Sequence, residues 1–312
     1  MKNLIHLILL VLPVTLAAQD LPTISRMDTR MVEFTVADPD GQPVEGALLE
    51  ASRPGPGNAA ATTGRDGKVR LELTAGATLY VYVSKDGYYT TGGELWRGGM
   101  HKGPDRRLVP RIVPDSFDIV LKPVLDPVPM KHVQYTGFCP MTGQPVPFDL
   151  SVGDWVSPLG KGEVPDIYFN FQNLKVSSEA YSGVLTLLFP NYGDGIQSFE
   201  AARPHSMAFG SNLAPPNKAP LEGYDRELRL EIAWKQGDRA PFGLPTTRNY
   251  IIRTRTVRGP DGSIAEACYG WILGEIEFDP RGRPGPQLKF EYSFNEDPDP
   301  RARSLEDERN VP

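Results

Sequence analysis

The chain has 312 residues, 40% of them apolar, with 33 Lys and Arg against 39 Asp and Glu and a formal charge of −6. That length admits two domains with separate cores, and the apolar share excludes disorder as the default state. The acidic balance excludes an electrostatic footprint for nucleic acid. Residues 1–18 read as an export signal, with Lys2 as the positive end, Ile5 to Leu16 as the apolar core and Thr15-Leu16-Ala17-Ala18 as the cleavage region. The core is shorter than a membrane span and no comparable run follows it. The mature chain is therefore expected to be exported, periplasmic or extracellular, with no membrane span and a charge of −7 once Lys2 is removed (32 minus 39). No Cys follows the apolar core, so no lipid anchor is expected. Export places Cys139 and Cys268 where a disulfide persists. A bond between them would close a long loop and stabilise by about 4 to 5 kcal/mol on the chain-entropy model; the alternative is two buried free thiols.

From Met31 the pattern is that of strands. Val32, Phe34 and Val36 alternate with Glu33 and Thr35, the period of a strand buried on one face. Asp38-Pro39-Asp40-Gly41 turns the chain toward a return strand at Ala47 to Ala51, and Arg53 to Ala60 reads as a loop. Thr62 and Thr63, the Asp66-Gly67 turn, and Val69, Leu71 and Leu73 predict a hairpin. Leu79, Val81 and Val83 form the next strand, and Phe117, Ile119 and Leu121 the last. Residues 31–123 are thus expected to be a self-contained β-sandwich.

The succession Val-Ala-Asp-Pro-Asp-Gly-Gln-Pro-Val-Glu-Gly-Ala, then Thr-Thr-Gly-Arg-Asp-Gly-Lys-Val, then Val-Ser-Lys-Asp-Gly-Tyr resembles the carboxypeptidase regulatory-like domain. The resemblance implies a seven-stranded prealbumin-like sandwich and a non-catalytic accessory module common in exported bacterial proteins. The zinc carboxypeptidase site does not carry over, because none of His101, His132 or His205 has a Glu three residues on.

Residues 124–130 form a Pro-rich linker, and residues 131–295 a second β-rich domain. Ile167 to Phe171 and Tyr181 to Phe189 are apolar enough for central strands, and Leu228, Leu230, Ile232 and Trp234 alternate. Asn249 to Val257, Ile264 to Tyr269, Trp271 to Phe278 and Leu288 to Phe294 read as a meander joined by three hairpin-like connections. No amphipathic helix is evident, so the fold class is all-β, two antiparallel sandwich-type domains in tandem. Phe148-Asp149-Leu150, Gly153-Asp154-Trp155-Val156, Gly160-Lys161-Gly162, Ala267-Cys268-Tyr269-Gly270 and Leu305-Glu306 give the second half a likeness to exported bacterial proteins of unassigned function. Residues 296–312 read as a charged, mobile tail.

Two groups of residues carry candidate chemistry. Asp149, Asp154 and Asp166 around Trp155 would form a glycosidase-like cleft if a carboxylate pair faced an aromatic platform; otherwise they are Asx-turn carboxylates of Gly/Pro loops. The stretch Gly92 to Pro114 holds Trp96, Arg97, His101, Lys102, Arg106, Arg107 and Arg111 against only Glu94 and Asp105. It reads either as a grip for an anionic glycan or as a strap between the domains. Asp38 to Leu49 lacks the EF-hand positions, three scattered His residues give no zinc signature, and no nucleophile elbow, phosphate loop or dinucleotide fingerprint occurs. No metal or cofactor is expected. The leading reading is a non-catalytic binding or envelope-assembly protein with a glycan or envelope protein as partner; the rival is a hydrolase of glycan or peptide using the three Asp residues.

Overall fold

The computed structural model describes residues 29–52, 58–74, 78–102, 108–111, 113–202, 208–238, 247–299 and 301–312. The expected signal segment lies outside them. Their architecture is all-β, in two stacked pairs of sheets.

In the first half, β1 (Thr29–Ala37), β2 (Leu48–Ser52), β3 (Ala59–Thr62), β4 (Lys68–Thr74), β5 (Leu79–Ser84) and β6 (Thr91–Trp96) are followed by a small hairpin. That hairpin is β7 (Met100–Lys102) with β8 (Leu108–Pro110), and β9 (Ser116–Val120) closes the unit. One sheet runs β4-β1-β9 and the other β6-β5-β2-β3, seven strands in all. Val32, Phe34 and Val36 on β1 meet Leu49, Val81 and Val83 from the opposite sheet, so the alternation read from sequence becomes the core. Two connections differ from expectation. The Asp38 turn sends the chain across the sandwich, since β1 pairs with β4 and β9 while β2 pairs with β3 and β5. Likewise β3 and β4 are no hairpin, although Gly64 and Lys68 close a tight turn between them. Gly67 is obligatory there: its φ is +71°, and a Cβ would stand 2.5 Å from the Val36 carbonyl oxygen.

The second half continues with β10 (Lys131–Phe138), β11 (Val146–Asp149), β12 (Asp154–Trp155), β13 (Ile167–Val176), β14 (Ala180–Leu188), β15 (Gly195–Glu200) and β16 (Phe209–Ser211). Then come β17 (Glu227–Lys235), β18 (Arg248–Arg258), β19 (Ile264–Asp279) and β20 (Gln287–Asn295). A sheet ordered β10-β20-β19-β18-β15 faces one ordered β12-β11-β13-β14-β17. Between them lies a core of Phe148, Phe169, Phe171, Leu185, Leu187, Ile252, Ile272, Phe290, Tyr292 and Phe294. The expected meander has two hairpins, not three, because Ile264 to Asp279 is one strand running through Gly270. A Cβ at Gly270 would lie 2.6 Å from the Ser293 carbonyl oxygen, so the glycine marks close strand approach and no break.

The outer face of β18 and β19 is covered as well, by Met130, Ala219 and Leu305 packed on Ile251, Tyr269 and Trp271. Burial on both faces explains the near-continuous apolar runs of these strands. It also corrects the reading of the tail as mobile. Ser304, Leu305, Glu306 and Asp307 are all buried. Their backbone ties to Asn217 and to Val128 of the linker, through Leu305 N–H to Asn217 C=O (2.9 Å) and Val128 N–H to Glu306 C=O (2.8 Å).

Among the described residues, three sets of contacts are prominent where the two halves join. Strand β16 adds to the free edge of β6, and Phe209 packs on the core of the first half. Lys122 donates to three carbonyls of the second half, those of Leu213, Ala214 and Pro215, at 2.8 to 3.1 Å. The carboxylate of Glu306 accepts from Tyr89 Oη, Leu125 N–H, Asp126 N–H and Asn217 Nδ2 at 2.8 to 3.3 Å.

Candidate functional site

The carboxylates singled out by sequence are held as structural anchors. Asp149 and Asp166 are each 1% exposed. Asp149 accepts backbone N–H bonds from Ser151, Val152, Glu163 and Val164. Burial raises the Asp149 carboxyl, but those four donors outweigh it and leave it below the ordinary carboxylate range. Asp166 accepts from Leu150 N–H and takes the Arg255 guanidinium at 2.8 Å, while Arg255 reaches Asp149 at 3.4 Å. Arg255 sits at φ +56° in a bulge of β18, which turns its side chain toward the pair. The cluster fastens the 149–166 loop to the neighbouring sheet.

Asp154 caps the same loop through Trp155 N–H and Lys161 N–H. Close packing explains the Gly-Lys-Gly: a Cβ at Gly160 would stand 2.3 Å from the Trp155 carbonyl oxygen, and one at Gly162 2.7 Å from Asp149 Cβ. Trp155 is no platform. It is 4% exposed, lies edge-on to Tyr135, Phe148 and Phe169, and donates its indole N–H to Phe138 C=O. The three Asp residues and Trp155 therefore do not line a cleft.

The stretch from Gly92 is not one loop. Its first five residues belong to β6, and Thr91, Gly92 and Gly93 pair with β16. Trp96 and Leu95 pack on the core of the first half. Arg97 is bound to Glu94 at 2.7 Å, and His101 is exposed on β7. Arg106 and Arg107 lie outside the described residues. Cys139 and Cys268 are both free and buried in the same core. Burial pushes each thiol up to about 11, so both are protonated, inert side chains. Among the described residues no three His, Cys, Asp or Glu side chains converge as a metal site, and no helix is long and apolar enough to cross a membrane.

A surface groove of about 560 Å³ lies elsewhere, across the far ends of β13, β14 and β17. Its lining includes a cross-strand pair that the register of β14 and β17 sets side by side: Tyr181 and Trp234, ring centroids 5.3 Å apart and 20° from parallel. Arg281, clamped to Asp279 at 2.7 Å, lies 4.3 Å above the Tyr181 ring. Tyr181 is buried in contact with both the guanidinium and the indole, and Trp234 is half-buried in the lining of the groove. The indole N–H donates to Asp238 C=O at 3.1 Å, fixing the ring's tilt. Lys175, Val176, Ser177, Lys235 and Asp238 also line it. Sequence reading placed Tyr181 and Trp234 on strands but did not bring them together. Only the register does, and a Trp closing an otherwise amphipathic edge strand was the available signal.

No family model and no curated protein matches the chain. Among solved structures, it is similar to a 3-chlorocatechol 1,2-dioxygenase from Rhodococcus opacus 1CP, at 14% identity over 32% of this chain with a TM-score of 0.24. The likeness spans 61% of that enzyme's length. It is also similar to a "putative carbohydrate binding protein" from Bacteroides uniformis at 12% identity, covering 84% of this chain and 94% of that one with a TM-score of 0.21. A DUF3823 family protein from Parabacteroides merdae gives 9%, 85%, 96% and 0.20 in the same order. At these TM-scores the likenesses assign this chain no activity.

Proposed function

We propose that the chain is an exported, non-catalytic binding protein of two β-domains whose ligand is a saccharide seated on Trp234. The observation that carries this reading is the Tyr181–Trp234 stack in the lining of the groove. A flat indole presents a π-face against which the C–H side of a sugar ring packs, and Asp238 and Ser177 in the lining supply carboxylate and hydroxyl groups for its hydroxyls. The ring is already fixed by Asp238, so little conformational entropy is lost on binding. The seven strands of the first unit and the order of its two Asp-Gly turns support its reading as a carboxypeptidase regulatory-like accessory module. The hydrolase reading finds no such support, since Asp149 and Asp166 are spent on N–H donors and Arg255.

The test is intrinsic fluorescence of the exported chain titrated with xylo-, cello-, manno- and galacturono-oligosaccharides. Of the four Trp, Trp155 and Trp271 are buried and Trp96 packs on the core of the first half, so a ligand-induced shift that survives in Trp96→Phe and is lost in Trp234→Ala reports on Trp234. At least one series should give a saturable shift that Trp234→Ala abolishes. No shift with any series, or saturable binding unchanged in Trp234→Ala, overturns the reading.

A further inference from the structure

We infer that the first unit carries a site of its own for an amino sugar with a free ammonium group, in a groove of about 220 Å³ on the outer face of the sheet that holds β5, β2 and β3. Register places its groups on that face. Glu50 on β2 stands opposite Tyr82 on β5 and Ala60 on β3, and all three are exposed. Their chain neighbours Leu49, Ala51, Val81 and Val83 point the other way, into the core of the sandwich. Ser52 and Asn58 complete the lining that the argument needs.

Tyr82 is 43% exposed because the row beyond it is bare. It pairs with Gly92, whose own partner on β16 is Gly210. A Cβ at Gly92 would collide with the Tyr82 ring, so the glycine leaves the ring room to lean across β6. Ala60, on the far side of Glu50, carries only a methyl group. The carboxylate between them is unmatched: among the described residues no Lys or Arg is bonded to Glu50. Other strand glutamates of this unit are paired, Glu94 with Arg97 and Glu33 with Lys68 and Arg70.

A free carboxylate beside an exposed tyrosine ring fits an ammonium group, because the ion pair and the negative face of the ring attract the same charge. The groove is smaller than the ~300 Å³ at which pockets for drug-sized ligands begin, so it admits one ring. Ser52 and Asn58 offer a hydroxyl and an amide to the hydroxyls of that ring. An acetylated amino sugar has no charge for Glu50 or Tyr82 to attract, which makes the free amine the feature selected. This inference goes beyond the saccharide reading of Trp234 and does not depend on it, since the groove lies in the other unit.

Chitotriose and its fully acetylated form serve as probes at about pH 6, below the ordinary range of amines, with a blocked lysine amide as the peptide counterpart. Alanine methyl signals of the isotopically labelled full chain report the site, since Ala59 and Ala60 line it. Chitotriose should shift them saturably, in the parent and in Trp234→Ala alike. Glu50→Gln and Tyr82→Leu should each weaken that binding on the order of two- to fivefold, and Glu50→Gln should flatten its salt dependence. No shift at Ala59 and Ala60, equal affinity for the acetylated probe, or binding indifferent to both substitutions overturns the inference. Binding of the lysine amide at least as tight as that of chitotriose overturns it too, and gives the groove to peptide amines. The saccharide reading of the other groove is judged separately, by Trp234 fluorescence. Glu50 and Tyr82 are exposed, and unchanged circular dichroism of the variants excludes misfolding as the cause of a loss.

Discussion

Replacing Glu306 by Ala tests how the two halves are held. Its carboxylate is fully buried and satisfies donors from three places: Tyr89 Oη in the first unit, the Leu125 and Asp126 amides in the linker, and Asn217 in the second unit. Hydrogen bonds to a charged acceptor are worth about 1.5 to 3 kcal/mol each, and removing the anion recovers part of its own desolvation cost. Leaving four donors facing a cavity is the larger effect, so the net loss should be about 3 to 5 kcal/mol, the range for breaking a buried charged cluster from one side. Because the donors belong to different units, the loss should fall on their coupling. Scanning calorimetry of the parent should show one transition, and Glu306→Ala should separate it into two, with Tyr89→Phe giving a smaller shift in the same direction. A single unshifted transition in Glu306→Ala would refute the reasoning, because it would mean the tail contributes nothing to the joint.

Asp149 gives a pH test. Its carboxyl is held below the ordinary value, so its contribution is complete above about 3.8 and is lost as the pH falls through the lower folded value. Urea midpoints should drop more steeply below that pH in the parent than in Asp149→Asn, which should itself be less stable at neutral pH by about 3 to 5 kcal/mol. Lys122 runs the other way: burial lowers its amine from 10.5 to about 8, so the unfolded chain binds more protons between those values and stability should rise with pH across that window. Lys122→Met should lack that rise, and parallel pH curves for the two chains would count against it.

Much of the fold was legible because alternation is a local signal. The rows Val32-Phe34-Val36 and Leu288-Phe290-Tyr292-Phe294 each face a core as their period demands. What composition misread was decided by distant partners. The 296–312 segment has the charge and proline of a mobile tail, yet Glu306 is buried because Tyr89 and Asn217 meet it from 217 and 89 residues away. Gly270 looked like a boundary because a glycine in a strand weakens it, and nothing local announces the Ser293 carbonyl pressing on it. Asp149 and Asp166 read more readily as turn carboxylates than as catalytic ones, but nothing local announced that Arg255 would lie between them, and the Tyr181–Trp234 pair depends on register, which sequence does not state.

The groove and the joint between the halves make separable demands, and this can be checked with the same variant. Tyr181 and Trp234 are held by the β14–β17 ladder, which pairs Ala180 with Lys235 through to Leu188 with Glu227 and is extended by the Gln236 N–H to Glu179 C=O bond. None of the partners of Glu306 lies on these strands: they sit at residue 89, in the linker and at residue 217. Loss of the Glu306 cluster should therefore free the units from each other while leaving the aromatic pair in place. Well below its first transition, Glu306→Ala should bind the oligosaccharide that shifts the parent's Trp234 fluorescence with the affinity of the parent, since packed strands transmit little when their own ladder is intact. A tenfold loss, about 1.4 kcal/mol, would contradict this independence and make the seating of the first unit part of the binding site.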